Sequence, residues 1–159
     1  MTAPRIPQFY VGDELLFTSP TKDRDDASYR IPFPGGWAGD KVNAFTGAGL
    51  KDKPRAAQAF VRKLTNWRKS QPVIHSGRMM HYGPQNNTYV YFRYNADKKV
   101  LVAFNNNAKE MALDVGRFRE MLTGVTSGVD VLTGKTFDLR STLTLPARAS
   151  VILELETPR

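Results

Sequence analysis

Residues 88–106 read TYVYFRYNADKKVLVAFNN, and this stretch decides the fold class. Two runs rich in β-branched and aromatic residues, 88–94 and 98–106, flank Asn95, Ala96 and Asp97, and both Asn and Asp tolerate turn geometry. The pattern predicts an antiparallel hairpin. Val90 and Phe92 share one face of it, because side chains alternate along a strand. Downstream the texture repeats: KEMALDV (109–115), VDVLTGKTFDL (129–139) with its Thr133-Gly134 turn, TLTLP (142–146) and ASVILELE (149–156) are short runs between turn residues. A helical turn fits around Arg117 to Leu122. Beyond Pro72 the pattern therefore predicts a second unit, an antiparallel sandwich or barrel.

Upstream the pattern changes. PRAAQAFVRKLTNWRKS (54–70) places Ala57, Phe60, Val61, Leu64 and Trp67 at helical spacing, with Pro54 suited to a first turn and Arg68 and Lys69 suited to the negative end of the dipole. Pro72 stops any continuation. Thr18 to Gly49 hold many Gly and Pro and no lasting period, while Tyr29, Phe33, Trp37 and Phe45 supply apolar surface that a solvated linker lacks. This loop is expected to pack on something. IPQFYVGDELLF (6–17) reads as a short buried strand ending at Gly-Asp-Glu.

The chain has 159 residues, 41% of them apolar, and a net charge of +8. That is enough for a core of ordinary size. Without Cys there is no disulfide scaffold, thiol nucleophile or thiolate metal site, and the compartment stays open. No apolar run approaches the roughly 20 residues of a membrane-spanning helix, so no membrane partner is expected. Basic residues are scattered among acids, and TYVYFRY lacks the order of an RNA-recognition strand, so no nucleic-acid partner is expected either.

Few residues carry chemistry. Asp13 and Glu14 are the first paired carboxylates, but neighbours on a strand point to opposite faces, which favours a structural Asp holding loop amides over a catalytic pair. Asp23, Asp25 and Asp26 cluster without the Gly and terminal Glu of a calcium loop. Asp26 and Arg30 suit an ion pair or joint hydrogen bonding to a polyhydroxylated ligand. His75 and His81 lack metal spacing and a neighbouring nucleophile. Gly47-Ala48-Gly49 lacks the third Gly of a dinucleotide loop, and there is no phosphate-binding or serine-hydrolase motif. No cofactor is expected. Asn86-Asn87-Thr88 fits a glycosylation acceptor.

Taken together, IPQFYVGDEL (6–15), the Asp26 to Arg30 spacing, FPGGWAGDKVNAFTG (33–47) and the helix ending WRKSQPVIHSG resemble one family, the alpha-amylase family of glycoside hydrolases. The resemblance is to its cyclomaltodextrinase and neopullulanase members and weakens past residue 85. It implies a mainly β chain: a C-terminal antiparallel β-sandwich at 73–159, preceded at 1–72 by the last strand, long loop and last helix of a (β/α)8 barrel. Residues 6–12 would be the eighth strand and 54–70 the eighth helix.

Such a barrel carries its active site at the C-terminal ends of eight strands. The resemblance places the family's nucleophilic Asp, acid/base Glu and transition-state Asp upstream of this sequence, so no catalytic residue is expected here. It implies that Asp26 and Arg30 hold a glucose unit of the substrate and that Asp13 and Glu14 are a conformational element; the enzyme reading adds Trp37 to the glucan site. The implied function is the C-terminal piece of a retaining alpha-glucan hydrolase, inactive alone, which meets alpha-glucan or cyclodextrin through the complete enzyme. Two readings without catalysis stand beside it. One makes the sandwich a carbohydrate-binding module that stacks sugars on Tyr82, Tyr89 or Tyr91. The other makes it a stabilising or dimer-forming module, and it takes precedence because strand aromatics usually belong to a core.

Overall fold

The computed structural model describes residues 1–22 and 26–156. The chain divides into two compact units, Met1–Ile6 with Asn66–Arg159, and Pro7–Thr65.

The first unit is built on the predicted hairpin. Strands β2 (Thr88–Tyr94) and β3 (Lys99–Asn105) pair antiparallel with Tyr94 opposite Lys99 and Thr88 opposite Asn105. The turn closes through one side chain: Asn95 Oδ1 accepts from Asp97 N at 3.0 Å and Lys98 N at 2.8 Å. An Asx turn of this kind pins the register that the alternation needs. Around the hairpin, β1 (Arg78–Gln85), β5 (Ser127–Asp130), β6 (Thr136–Asp138) and β8 (Ser150–Glu156) complete a six-stranded sheet in the order β1-β2-β3-β8-β5-β6. A second sheet pairs β4 (Met111–Asp114) with β7 (Thr142–Leu145).

The core lies where these sheets face each other. Val90, Phe92, Leu101, Ala103, Leu153, Leu143 and Leu145 belong to one buried cluster, so Val90 and Phe92 do share a face. A 3-10 turn at Val115–Phe118 runs into helix α3 (Arg119–Leu122), and Phe118, Met121 and Leu122 plug the same core. β4 and β7 alternate between covered and exposed positions, as outer strands do. β2 and β3 do not alternate, because their other face is covered too: Tyr91, Arg93, Val100 and Val102 are also buried. Thr2, Gln71, Val73 and Ile74 are buried in this unit as well, and helix α2 (Pro72–His75) packs on β2.

Strand β1 escapes the sequence pattern. RMMHYGPQ does not alternate, and an edge strand paired on one side need not, since the backbone ladder to β2 holds it. Its pairing breaks between Tyr82 and Gln85, around Pro84, which has no N–H to donate. Pro72 stops one helix and starts another: it sits in the first turn of α2, where a missing N–H costs nothing.

In the second unit, the predicted helix forms as α1 (Asp52–Lys69), starting two residues before Pro54 and continuing into the first unit. The strand expected within residues 6–17 does not form. Asp13–Leu15 make a 3-10 turn between Gly12 (φ 93) and Leu16 (φ 58), and Ile6, Phe9, Tyr10 and Val11 stay exposed. A barrel strand draws its hydrogen bonds from neighbours on both sides, and no strand adjoins this segment among the described residues. A small core does form. Leu15, Ala44 and Leu50 are buried, with Phe17, Phe33 and Val42 packed against them.

Candidate functional site

The loop around residues 33–50 is held by two side chains that act as backbone substitutes. Asp40 Oδ2 accepts from Gly35 N at 2.6 Å and Trp37 N at 3.2 Å, closing Pro34 to Asp40 into a tight lobe. Asn43 Oδ1 accepts from Phe45 N and Thr46 N, both at 3.0 Å, and its own N–H donates to Ala48 O at 2.8 Å. Ala44 N donates to Pro34 O at 3.0 Å and joins the two lobes. Helix α1 holds them from below: Arg55 Nη2 donates to Gly47 O at 2.8 Å and Leu50 O at 3.1 Å, and Gln58 Nε2 donates to Ala44 O at 3.0 Å. Gly35 is required. Its φ is 98°, and a Cβ there would lie 2.6 Å from Asn43 Cγ and 2.9 Å from its Cα.

On this scaffold Trp37 stands 71% exposed. Its neighbours Gly36, Ala38 and Gly39 have no side chain that could cover the indole, so the ring face is open to a ligand. Phe45 is as exposed, with its ring 5.1 Å from that of Phe33. The loop as a whole thus packs through Phe33, while Trp37, Phe45 and Tyr29 remain outside the small core.

Asp26 opens a 3-10 turn, Asp26–Tyr29, and Arg30 N donates to Ala27 O at 3.1 Å to prolong it. With about three residues per turn, side chains four apart leave such a segment about a third of a revolution apart. Accordingly no ion pair joins Asp26 to Arg30 among the described residues, and both side chains are exposed. Asp23 and Asp25, the other acids of that cluster, lie outside the described residues.

Asp13 and Glu14 do not face each other as a catalytic pair. Asp13 Oδ2 accepts from Tyr10 N at 2.9 Å and Glu14 Oε2 from Gly12 N at 3.2 Å, so both carboxylates secure their own turn. His75 Nε2 lies 2.7 Å from Arg68 O, and a carbonyl can only accept, so Nε2 carries the proton. His81 is exposed, its ring 6.4 Å from Tyr89.

The strand tyrosines are mostly structural. Tyr82 packs edge-on against Phe92 and Phe118 and donates its hydroxyl to Glu120 at 2.7 Å. Tyr91 is 5% exposed and its hydroxyl bonds to Thr2. Tyr89 is half-buried and stacked at 6.4 Å on Phe104. Tyr91 therefore offers no open face for a sugar, and Tyr82 is partly covered. In the Asn86-Asn87-Thr88 sequence Thr88 is buried, and its hydroxyl donates to Gln85 O at 2.7 Å.

Three further residues go unmarked by sequence reasoning. Asp40 and Asn43 shape the loop, and their signal was present as turn-forming residues among glycines. Arg93 is wholly buried inside TYVYFRY, where one charge in an apolar run was the only hint.

Comparison with known proteins fits this architecture. Residues 79–154 match the model of the cyclo-malto-dextrinase C-terminal domain. An alpha-amylase from Anoxybacillus is similar in fold at a TM-score of 0.71 and 18% identity, with 99% of this chain and 30% of that one covered. The alpha-amylase of Geobacillus thermoleovorans, solved with acarbose, matches at 0.71 and 16%, covering 99% and 31%. AmyP, solved with maltose, matches at 0.60 and 19%, covering 70% and 23%. The chain spans only about a quarter to a third of the length of these structures. Residues 79–154 of the sandwich are thus similar to a cyclo-malto-dextrinase C-terminal domain, and the chain shares its fold with part of each of these alpha-amylase structures.

Proposed function

We propose that the chain serves the C-terminal end of an alpha-glucan hydrolase of cyclomaltodextrinase or neopullulanase type, with residues 1–72 as its barrel portion and 73–159 as a stabilising sandwich. Asp26, Arg30 and Trp37 contact the glucan, the first two by hydrogen bonds to sugar hydroxyls and the third by its ring face. The parent reaction is the retaining one, in which two carboxylates about 5 Å apart act as nucleophile and acid/base, and neither is supplied by this chain. The observation that carries the reading is the braced loop. Asp40 and Asn43 hold a lobe whose exposed indole has no structural task in the small core, and Asp26 and Arg30 stand exposed without pairing to each other.

The chain by itself is expected to release no sugar from cyclodextrin, pullulan or starch, and measurable turnover overturns the proposal. In a longer chain that includes the barrel, Asp26→Asn and Arg30→Met are each expected to raise KM for cyclodextrin by at least about tenfold, the weight of one charge-assisted hydrogen bond. Unchanged KM in both variants removes these residues from the site.

A further inference from the structure

The first unit contains a cleft whose charge is one-sided. It measures about 420 Å³ and is bounded by Pro4–Ile6, by Arg68 near the end of α1, by His75–Gly77, and by Arg93 of β2. Arg5, Arg68 and Arg93 line it, His75 stands beside them, and no Asp or Glu lines it.

Arg93 is 0% exposed, and among the described residues its side-chain hydrogen bonds end on backbone carbonyls: Thr2 O at 2.8 Å, Gly77 O at 2.7 Å and Arg78 O at 3.3 Å. Arg68 is spent in the same manner, on the carbonyls of Met1 and, at 3.3 Å, Arg5. Among the described residues no carboxylate lies within 4.0 Å of any of these three guanidinium groups. Among the described residues of the unit, ion pairs lie elsewhere, at Lys98–Glu154 and Arg140–Asp138. Carbonyl dipoles satisfy the geometry of an arginine but leave its charge uncompensated, and a buried charge without a counter-charge is costly. Burial and the nearby Arg68 charge both pull the Arg93 guanidinium below its usual value. His75 stands at the same rim, with its Nε2–H held by Arg68 O.

We propose that this cleft binds a small phosphate-type oxyanion, either as inorganic phosphate or as the phosphoryl group of a sugar phosphate. Arg5 and Arg68 contact the anion, arginine being suited to bidentate oxyanion recognition, and buried Arg93 supplies field from the floor. The cleft volume exceeds that of a phosphate, which leaves room for an attached sugar.

The test is calorimetric titration and thermal unfolding of the whole chain at constant ionic strength, with sodium phosphate, glucose 1-phosphate, sodium chloride and maltose as probes. Phosphate at ten times its dissociation constant is expected to raise Tm by about 3–6 °C, and chloride or maltose to raise it by under 1 °C on the same scale. Arg68→Gln should weaken phosphate binding at least about tenfold. Arg5→Gln removes an exposed side chain with no hydrogen bond of its own among the described residues, so it keeps the fold, and it should weaken binding several-fold. Glucose 1-phosphate binding tighter than phosphate supports a phosphorylated sugar as the source; equal or weaker binding supports the free ion. Phosphate no better than chloride, or affinity unchanged in both variants, overturns the proposal.

Discussion

Replacing Asp40 by Ala should loosen one loop and nothing else that Asp40 touches. Its Oδ2 atom is the acceptor for Gly35 N at 2.6 Å and Trp37 N at 3.2 Å, and it is exposed. Buried charge-assisted hydrogen bonds contribute about 1.5–3 kcal/mol, but solvent competes for exposed ones, so about 1 kcal/mol each is appropriate. Losing both makes local opening about 2 kcal/mol easier, or about 30-fold in the opening equilibrium. Amide hydrogen exchange reads this directly: the Gly35 and Trp37 amides should exchange about 30-fold faster in D40A, with the buried amides of β2 and β3 serving as reference. Asp40→Asn keeps a carbonyl acceptor without the charge and should fall between, at about threefold to tenfold. Exchange at Gly35 and Trp37 that is unchanged in D40A would refute the view that this carboxylate braces the loop. A uniform acceleration that includes β2 and β3 would show a global effect and refute it equally.

In the sandwich, Asp130 is 3% exposed and accepts from Ile152 N at 3.1 Å, Thr133 N at 2.9 Å and Thr133 Oγ1 at 2.6 Å. Asp130→Ala leaves the buried Ile152 N–H without this acceptor and should cost about 2–4 kcal/mol in urea denaturation; a loss under about 0.5 kcal/mol contradicts the assignment. Glu154 accepts from Trp67 Nε1 at 2.6 Å and pairs with Lys98 Nζ at 2.9 Å. Burial alone would push its carboxyl up, but the bonds from Lys98 and Trp67 and the Lys98 charge outweigh it and hold the group below its ordinary 4.5. Its stabilisation is therefore present above pH 4.5 and lost as pH falls through the depressed folded value, an acid sensitivity that Glu154→Gln should reduce in pH-dependent thermal unfolding. At the other extreme, burial pushes the Tyr82 phenol above its ordinary 10.0, assisted by the bond to Glu120, and burial also raises Tyr91. Their folded values lie above the unfolded ones, so stability is intact below pH 10 and is lost as pH climbs past it. Part of the tyrosinate absorbance should then appear late, together with loss of sheet circular dichroism, and Tyr82→Phe should shrink that late part.

The turns that carry the candidate residues were open to reading because turn signals are local, whereas the substrate role of Asp26 and Arg30 rests on the family resemblance. Asp26, Arg30 and Trp37 stand in a stretch whose Gly, Pro, Asp and Asn residues announce turns, and turns are decided by side chains a few residues apart. The pairing of Asp26 with Arg30 was not open to reading, since it depends on the 3-10 path between them. The catalytic alternative for Asp13 and Glu14 likewise turned on backbone geometry: Gly12 at φ 93 bends the chain so that each carboxylate reaches a nearby N–H.

Sequence alone determined the sandwich hairpin and helix α1, because a period of two or 3.6 is set by each residue's own backbone and its immediate neighbours. It determined the turns at Asn95 and Gly134 for the same reason. Tertiary structure alone decided β1, which has no apolar alternation and exists through its ladder to β2. It also decided the fate of residues 6–12, an apolar run with strand-like composition but no strand beside it among the described residues. Arg93 is the sharpest case: its position along the strand put it on the face opposite Phe92, but only segments remote in sequence, Thr2 and Gly77, made that face an interior. A strand's hydrogen bonds and a side chain's burial are completed by distant residues, so no local pattern can contain them.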